Sequence, residues 1–320
     1  MIRHALRLAA VLSLVLACLP ALAGPRAFVS STGNDANAPA GCTPALPCRS
    51  FQAAHDAVDA GGEIVALDTA GFGPVTISKS VAIIGNPGTI PSIAVASGYG
   101  VTILTAGVDV ILRNLNINGV GGDMGIVMTE GNSLAIENCV ISNFPGAQGV
   151  YFAPTGPARL RIAGSIMSGN GNGAYIAGAS IASTVSADIV GSRFMGNASV
   201  GLYVVHTTMN GATNVSVSDS VASGNGTGYE LKVFSGTARL ALIRATASNN
   251  AADGIRGSAV GATATSVMTV GNSMATMNSL GFVNTTTSGG TAIFESLGNN
   301  IVRQNKFAAT VGTMTSVPGF

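Results

Sequence analysis

The sequence predicts an all-β chain that folds as a parallel β-helix solenoid of roughly nine coils, and three observations support this prediction. A unit of about 27 residues recurs along the chain. Each unit contains short runs in which apolar and polar residues alternate, as in half-buried strands. The composition of 43 glycines in 320 residues with only 9% charged residues suits coils that turn often and bury small side chains.

Three markers recur in phase from residue 135 onward. An asparagine ends each unit, and the asparagines lie 25 to 28 residues apart. A glycine that opens a short strand follows each of them except the last, and an apolar residue lies eight residues before most of them. A period of this length is too short for a propeller blade, and the spacing of a two-helix repeat is lacking. The asparagines are Asn143, Asn170, Asn197, Asn225, Asn250, Asn278 and Asn305; the marker glycines are Gly149, Gly173, Gly201, Gly228, Gly254 and Gly281.

The asparagines and a parallel series of serines are interpreted as structural ladders. Asparagine tolerates left-handed backbone angles, and its amide can bond to the equivalent amide one coil away. Each serine lies five residues before an asparagine. The serines are Ser165, Ser192, Ser220 and Ser273.

The ends of the predicted solenoid differ. Residues 50–60 are the one convincing helix, with Ser50 as N-cap and Phe51, Ala54 and Val58 on one apolar stripe. This helix is expected to plug the N-terminal end, which would otherwise expose core and edge strands. Residues 306–320 contain no comparable cap, so the C-terminal end is expected to be covered by a loose strand or to self-associate. The resulting division is 24–74 as cap, 75–305 as β-helix and 306–320 as tail.

Residues 1–23 have the pattern of a signal peptide. Arg3 and Arg7 precede an apolar run at 8–19, and Ala21-Leu22-Ala23 forms a small-residue cleavage site. The run is too short to span a bilayer comfortably, and no later segment is a transmembrane candidate. Alternatives are a retained anchor and lipidation at Cys18. The chain is therefore expected to be secreted or periplasmic, with outer-surface attachment as an alternative.

Export makes the cysteines interpretable. Cys42 and Cys48 lie in a proline-rich loop, and they are expected to form a disulfide in an oxidising compartment. Cys139 is interpreted as a buried, apolar side chain.

The N-terminal segments 28–35, 47–54, 61–65, 71–77 and 80–85 resemble the opening of many secreted right-handed β-helix proteins. The chain is thereby similar to the pectin-lyase-like superfamily, in its bacterial right-handed β-helix repeat branch. The resemblance implies a right-handed coil. It indicates function weakly, because the superfamily contains polysaccharide lyases, hydrolases, epimerases and adhesins.

The residue patterns of known β-helix enzymes are missing from the sequence. No acidic cluster for Ca²⁺ stands beside a base, and no carboxylate pair matches a polygalacturonase motif. His55 and His206 lack companions at the spacing of metal ligands, so neither a metal nor another cofactor is expected. A net charge of +1 gives no reason to expect nucleic acid or an anionic membrane as partner.

One outer surface is the candidate site. The second position after each marker glycine should face outward, which aligns Tyr151, Tyr175, Tyr203, Glu230, Arg256 and Val283. We name the first three the tyrosine row, and they are the candidate ligand-binding residues because aromatic rings suit sugars. Glu230 and Arg256, with Lys232 and His206 expected nearby, are the candidate catalytic residues. The alternative is a purely structural stack of strand-forming residues.

The leading functional hypothesis is therefore a secreted β-helix that binds extracellular or cell-surface glycans without a recognisable catalytic site. A polysaccharide lyase or glycoside hydrolase is the first alternative. A structural or adhesive solenoid is the second.

Overall fold

The chain winds into a right-handed parallel β-helix in the computed structural model, which describes residues 26–181 and 183–318. Its strands form three parallel sheets, which we name A, B and C and which contain 12, 9 and 10 strands. Each coil contributes strands to sheets C, A and B in that order, and each strand pairs with its equivalent one coil away. The predicted fold class and the prediction of roughly nine coils are confirmed.

The strands are numbered in chain order. Sheet A contains β1 (Arg26–Val29), β2 (Gly62–Ala66), β4 (Val81–Gly85), β7 (Asp109–Arg113), β10 (Ser133–Glu137), β13 (Ala158–Ala163), β16 (Thr184–Val190), β19 (Ala212–Ser218), β22 (Gly236–Ile243), β25 (Ala264–Gly271), β28 (Thr291–Ser296) and β31 (Thr315–Ser316). Sheet B contains β5 (Ser92–Val95), β8 (Asn116–Gly119), β11 (Val140–Ser142), β14 (Ile166–Ser168), β17 (Arg193–Met195), β20 (Val221–Ser223), β23 (Thr246–Ser248), β26 (Met274–Thr276) and β29 (Ile301–Arg303). Sheet C contains β3 (Val75–Ile77), β6 (Tyr99–Ile103), β9 (Met124–Met128), β12 (Gln148–Phe152), β15 (Asn172–Gly178), β18 (Val200–His206), β21 (Thr227–Val233), β24 (Asp253–Val260), β27 (Leu280–Thr287) and β30 (Ala308–Val311).

The interior is a narrow column of apolar side chains, in which a large residue on one coil can lie beside a small residue on the next. Phe194 points inward from β17, and its equivalent one coil later is Ala222. The aromatic ring of Tyr229 fills the space beside the alanine and meets Phe194 edge-on, with ring centroids 6.3 Å apart. Large side chains thus occupy the space that small side chains of a neighbouring coil leave, and the interior stays closely packed.

The asparagine ladder lies in the turn between sheets B and C. Asn197, for example, accepts a bond from the backbone N–H of Asn170 at 3.1 Å, and its own N–H donates to the Asn225 side chain at 3.0 Å. The pattern continues to Asn305. The left-handed residue of the turn is the one before each ladder asparagine, such as Gly169.

The sequence prediction placed Asn143 in the asparagine ladder, but this residue lies one position before the ladder position of its coil. Its φ of 65° places it at the left-handed position that Gly169 occupies one coil later, and Phe144 takes the place of a ladder asparagine. The Asn143 amide instead bonds to Asn118 Oδ1 at 2.6 Å. A left-handed turn residue and a ladder residue are both commonly asparagine, so the residue type alone could not separate the two roles.

The serine ladder includes the free cysteine. The backbone N–H of Ser165 donates to Ser192 Oγ at 3.3 Å, and that of Ser192 donates to Ser220 Oγ at 3.1 Å. The N–H of Cys139 donates to Ser165 Oγ at 3.1 Å, so Cys139 occupies the same column. Its thiol is buried, which raises its pKa to about 12. Such a thiol is protonated and unreactive at neutral pH, in agreement with the predicted structural role.

The N-terminal end is closed as predicted. Helix α1 (Phe51–Ala57) is shorter than residues 50–60, and Ser50 caps it by accepting a bond from the backbone N–H of Ala53 at 3.2 Å. The predicted stripe is buried. The expected disulfide joins Cys42 and Cys48, and β1 pairs in parallel with β2, so strand pairing begins before the expected boundary at residue 75.

The C-terminal end consists of strands rather than an unpaired tail. Strands β30 and β31 pair with β27 and β28, and β29, β30 and β31 are the last strands of their sheets. Phe307 is 70% exposed and Ile301 is 56% exposed at this end. Self-association through it stays a prediction. The predicted signal peptide lies outside the described residues, in which no helix has the length and apolarity needed to span a membrane.

Candidate functional site on sheet C

The outer face of sheet C carries the tyrosine row on three consecutive strands. Tyr151 pairs in register with Tyr175, and Tyr175 pairs with Tyr203. The column continues through Glu230 and then Arg256. The marker glycines make this geometry possible, because a Cβ on Gly228 would meet the carbonyl oxygen of Gly254 at 2.5 Å and the ladder amide of Asn250 at 2.9 Å.

Val283 departs from the expected exposure of this column. It follows Arg256 in register but is only 2% exposed. Its register partners on the two neighbouring coils are Arg256 and Val311. The accessible part of the column therefore ends at Arg256.

The tyrosine rings contact one another along the row. Tyr151 and Tyr175 are stacked, with centroids 5.2 Å apart and planes inclined by 8°. Tyr203 meets Tyr175 edge-on, with centroids 5.6 Å apart. In the described chain none of the three hydroxyls forms a hydrogen bond within the protein. Because the first two rings cover part of each other's faces, their edges and hydroxyls are the parts offered to a ligand.

The rings also rest on a second column of small residues. Ala153, Ala177 and Val205 lie two positions beyond the tyrosines, are 3–5% exposed and form a small apolar cluster with the rings outside the main core. The tyrosine row is thus half-buried and held in place by packing. A rigid surface of this kind loses little conformational entropy when a ligand binds.

A charged cluster adjoins the tyrosine row, and we name it the charged end (Glu230, Arg256 and Asp253). Arg256 Nη1 lies 2.8 Å from Asp253 Oδ2, and its Nε lies 4.0 Å from Glu230 Oε1. The Glu230 side chain is 14% exposed and that of Asp253 only 4%. Arg256 Nε is buried and has no hydrogen-bond partner in the described chain. The cluster therefore has an unused donor.

Burial determines the protonation of these groups. It raises the pKa of Glu230, although Arg256 and Lys232 oppose the rise. It also raises the pKa of Tyr203 to about 12, with a further contribution from the negative charge of Glu230. Burial likewise raises the pKa of Tyr175. These two phenols are neutral donors at neutral pH, and Glu230 accepts a proton more readily than an exposed carboxylate.

Asp253 is the member of the charged end that the sequence did not predict. In a strictly alternating strand, residues 253 and 256 would face opposite sides of the sheet. Here Asp253, Gly254 and Ile255 are buried in succession, so the alternation is interrupted. The available signal was an acidic residue directly before a marker glycine, on the coil that also carries Arg256.

Two other candidate residues are not members of this cluster. Lys232 is half-buried, occupies the second column one coil after Val205 and places its Nζ 5.2 Å from the centroid of Phe234. His206, which we expected near the row, is fully buried, and its Nδ1 lies 3.0 Å from Thr213 Oγ1. It is the third residue after Tyr203, so strand alternation turns it inward.

Burial lowers the pKa of His206, which leads to a pH prediction. Below about pH 6.5 the unfolded chain takes up a proton that the folded chain resists, so the free energy of unfolding should fall with falling pH. In His206→Val, which matches its neighbour Val233, this pH dependence should be shallower. Urea unfolding at about pH 7.5 and about pH 5.5 tests this. Burial also lowers the pKa of His55, but His55 is present in both the native protein and the variant and contributes equally to each. If the free energy of unfolding changes with pH by the same amount in both proteins, the prediction is contradicted.

Comparisons with known proteins bear on the fold. No family model matches the sequence, and no curated protein matches it. A solved structure that is similar is the crystal structure of pectate lyase Pel9A, with a TM-score of 0.59 and 15% sequence identity over 85% of this chain and 79% of that chain. At this identity the similarity shows a shared right-handed parallel β-helix fold. Among the described residues no three His, Cys, Asp or Glu side chains converge as metal ligands would.

Proposed function

We propose that this chain, which has the right-handed β-helix fold of a pectate lyase, is an extracytoplasmic protein that binds polysaccharide along the tyrosine row. One observation carries the proposal. Three phenol groups on consecutive coils form a continuous outer column, and in the described chain their hydroxyls have no protein partner. The similar solved structure is that of a pectate lyase, which supports a sugar polymer as the ligand.

The direction of the row suits a linear glycan. Consecutive coils lie about 4.8 Å apart, comparable to the length of one pyranose ring in an extended chain. A glycan that lies along the solenoid axis would meet one tyrosine per ring. The phenol hydroxyls can donate to sugar hydroxyls, and the ring edges can contact the apolar C–H groups of the sugar.

The disulfide supports a location outside the cytoplasm. Cys42 and Cys48 are bonded and buried, and such bonds persist in oxidising compartments. The expected leader at residues 1–23 would direct the chain there.

Cleavage of the bound glycan is the second candidate function, and the raised pKa of Glu230 favours it. A carboxyl group whose pKa is raised is better suited to the role of general acid than an exposed one, and Glu230 lies beside the arginine of the charged end. The reaction would then occur where the tyrosine row meets Glu230. Binding along the row is a requirement of this candidate as well.

The test is a binding screen of the purified protein against soluble acidic and neutral polysaccharides, by affinity electrophoresis followed by calorimetry. Replacing Tyr151, Tyr175 and Tyr203 together with Phe removes three hydroxyls and keeps the rings packed. At about 1 kcal/mol for each hydrogen bond, we expect the Kd to rise about 100-fold. Tyr99→Phe is the matched control, because Tyr99 is exposed and precedes the row on the same sheet.

The outcomes separate the possibilities. A glycan that binds the native protein and the triple Phe variant equally would refute the proposed site, and a screen without any binding would refute the function. The same incubations are assayed for new reducing ends and for unsaturated sugars. If either product forms and is absent with Glu230→Gln, the chain is an enzyme; if neither forms, binding alone remains.

A further inference from the structure

The corner between sheets C and A carries exposed apolar side chains on three consecutive coils. They lie in the turns that follow β15, β18 and β21, outside the candidate site on sheet C. Ile181 is 66% exposed, Met209 67% and Phe234 40%. We name these three side chains the turn ridge. Large apolar side chains that are grouped and exposed in this way commonly mark a surface for a partner.

The turns of the ridge lie directly against one another. Gly211 closes the turn of Met209, and a Cβ on this glycine would lie 3.5 Å from the carbonyl oxygen of Ile181. Gly236 directly follows the turn of Phe234, and a Cβ there would lie 3.0 Å from the carbonyl oxygen of Met209. The three turns therefore form one row along the solenoid axis, with a spacing of about 4.8 Å between coils.

Two cationic side chains flank the ridge at Phe234. Lys232 precedes it on sheet C, and its Nζ lies 5.2 Å from the centroid of the Phe234 ring. Arg239 follows the same turn on sheet A. It is exposed and forms neither an ion pair nor a side-chain hydrogen bond with another residue that the structure describes. A positive charge thus lies on each side of the apolar row.

Acidic side chains are scarce at this corner. The six successive turns from 153–157 to 288–290 contain no Asp and no Glu. Glu130, in the turn before them, lies two coils from the ridge. Glu230 is close enough to Lys232 for that charge to lower its pKa, but its side chain is only 14% exposed. The charge that this corner presents to a partner is therefore positive.

We propose that the turn ridge docks the protein on a lipid bilayer with anionic headgroups, with the solenoid axis along the membrane surface. The three apolar side chains would enter the boundary between headgroups and acyl chains, and Lys232 and Arg239 would contact lipid phosphates. The net charge of +1 does not predict this partner; the local arrangement of apolar and cationic side chains does. The inference goes beyond the proposed function, because it concerns another surface and another class of ligand.

A bilayer fits the ridge better than a protein or a sugar chain does. A specific protein interface buries about 1,000 Å² or more and needs a complementary shape, whereas the ridge consists of three side chains on the outside of a corner. A fluid bilayer accepts protruding side chains without a matching shape. The apolar tips also offer no hydrogen-bond donor to a sugar hydroxyl.

The first test is flotation of the full chain with vesicles of phosphatidylcholine and phosphatidylglycerol in a ratio of about three to one. Replacing all three ridge residues with Ser should lower the partition coefficient at least about 100-fold, since three apolar side chains are lost. The matched control replaces three exposed apolar side chains elsewhere with Ser and should bind like the native protein. These control residues are Ile90, Met195 and Met277. Circular dichroism checks that both triple variants fold.

The second test separates the charges from the apolar contacts. Lys232→Gln with Arg239→Gln should lower partitioning onto the anionic vesicles about 30-fold and leave partitioning onto phosphatidylcholine alone unchanged. Arg193→Gln with Arg303→Gln is the matched control, because both arginines are exposed on sheet B. It should bind like the native protein. Equal binding of native protein and the Lys232/Arg239 variant to anionic vesicles would overturn the proposal.

The third test reports on the ridge itself. The chain contains no Trp, so Phe234→Trp introduces a single fluorophore. Its emission should shift to shorter wavelength on anionic vesicles and be quenched by lipids brominated on their acyl chains, whereas Met277→Trp should show neither change. Absence of vesicle binding by the native protein, or an unchanged Phe234→Trp emission, would overturn the proposal. Association of copies that requires the ridge, without vesicle binding, would make the ridge a protein interface instead.

Discussion

Asn225→Ala is expected to lower the free energy of unfolding by about 4 kcal/mol. Asn225 Oδ1 accepts bonds from the backbone N–H and the Nδ2 of Asn197 at 3.0 and 2.8 Å. Its Nδ2 donates to the carbonyl of Phe194 at 3.0 Å and to Asn250 Oδ1 at 3.1 Å. The alanine variant leaves several of these buried groups without partners, and each unpaired buried group costs about 1–3 kcal/mol.

Urea unfolding followed by circular dichroism measures this loss. Asn210→Ala is the control, because Asn210 is exposed and its side chain bonds to no residue that the structure describes; its free energy of unfolding should change by less than about 0.5 kcal/mol. A loss of less than about 1 kcal/mol at Asn225 would mean that the ladder bonds are replaced by water, and the turn would then be open to solvent.

Phe194→Ala should destabilise the fold by a similar amount, about 4 kcal/mol. The ring is fully buried, its equivalent one coil later is Ala222, and it meets the ring of Tyr229 edge-on. Its loss leaves a cavity that the neighbouring backbone cannot collapse to fill, because parallel strands hold both adjacent coils in place.

Met195→Ala is the matched control for this variant. Met195 follows Phe194 on the same strand but points outward and is 40% exposed. We expect its free energy of unfolding to change by less than about 1 kcal/mol. If the two variants were equally stable, the inward and outward faces of β17 would be assigned wrongly, and with them the alternation on which the tyrosine row depends.

The repeat made much of this architecture predictable. The spacing of the asparagines and the marker glycines was sufficient to align Tyr151, Tyr175 and Tyr203 in one column, because a residue at a fixed distance from a repeated turn must recur at the same place on each coil. The capped helix and the disulfide followed from local chemistry in the same way.

Other features depend on contacts that the repeat does not encode. Asp253 can pair with Arg256 because the alternation of the strand is interrupted at the buried Gly254, and a strictly alternating pattern does not predict such an interruption. Val283 is buried at a position where the repeat predicts an exposed side chain. The groove on the outer face of sheet A is a further case, because residues from seven strands line it and no single segment of the sequence shows it.

The turns between sheets C and A have a consequence for how this chain can change length during evolution. Residues 207–211 make one such turn, whereas 234–235 suffice one coil later, with the ladders continuous across both. Extra residues are therefore absorbed where they disturb no column. Duplication or loss of one whole coil would also keep every ladder aligned. An insertion of an odd number of residues within a strand would instead exchange the inward and outward faces of that strand. Related chains of different length should therefore differ by whole coils or by the length of these turns.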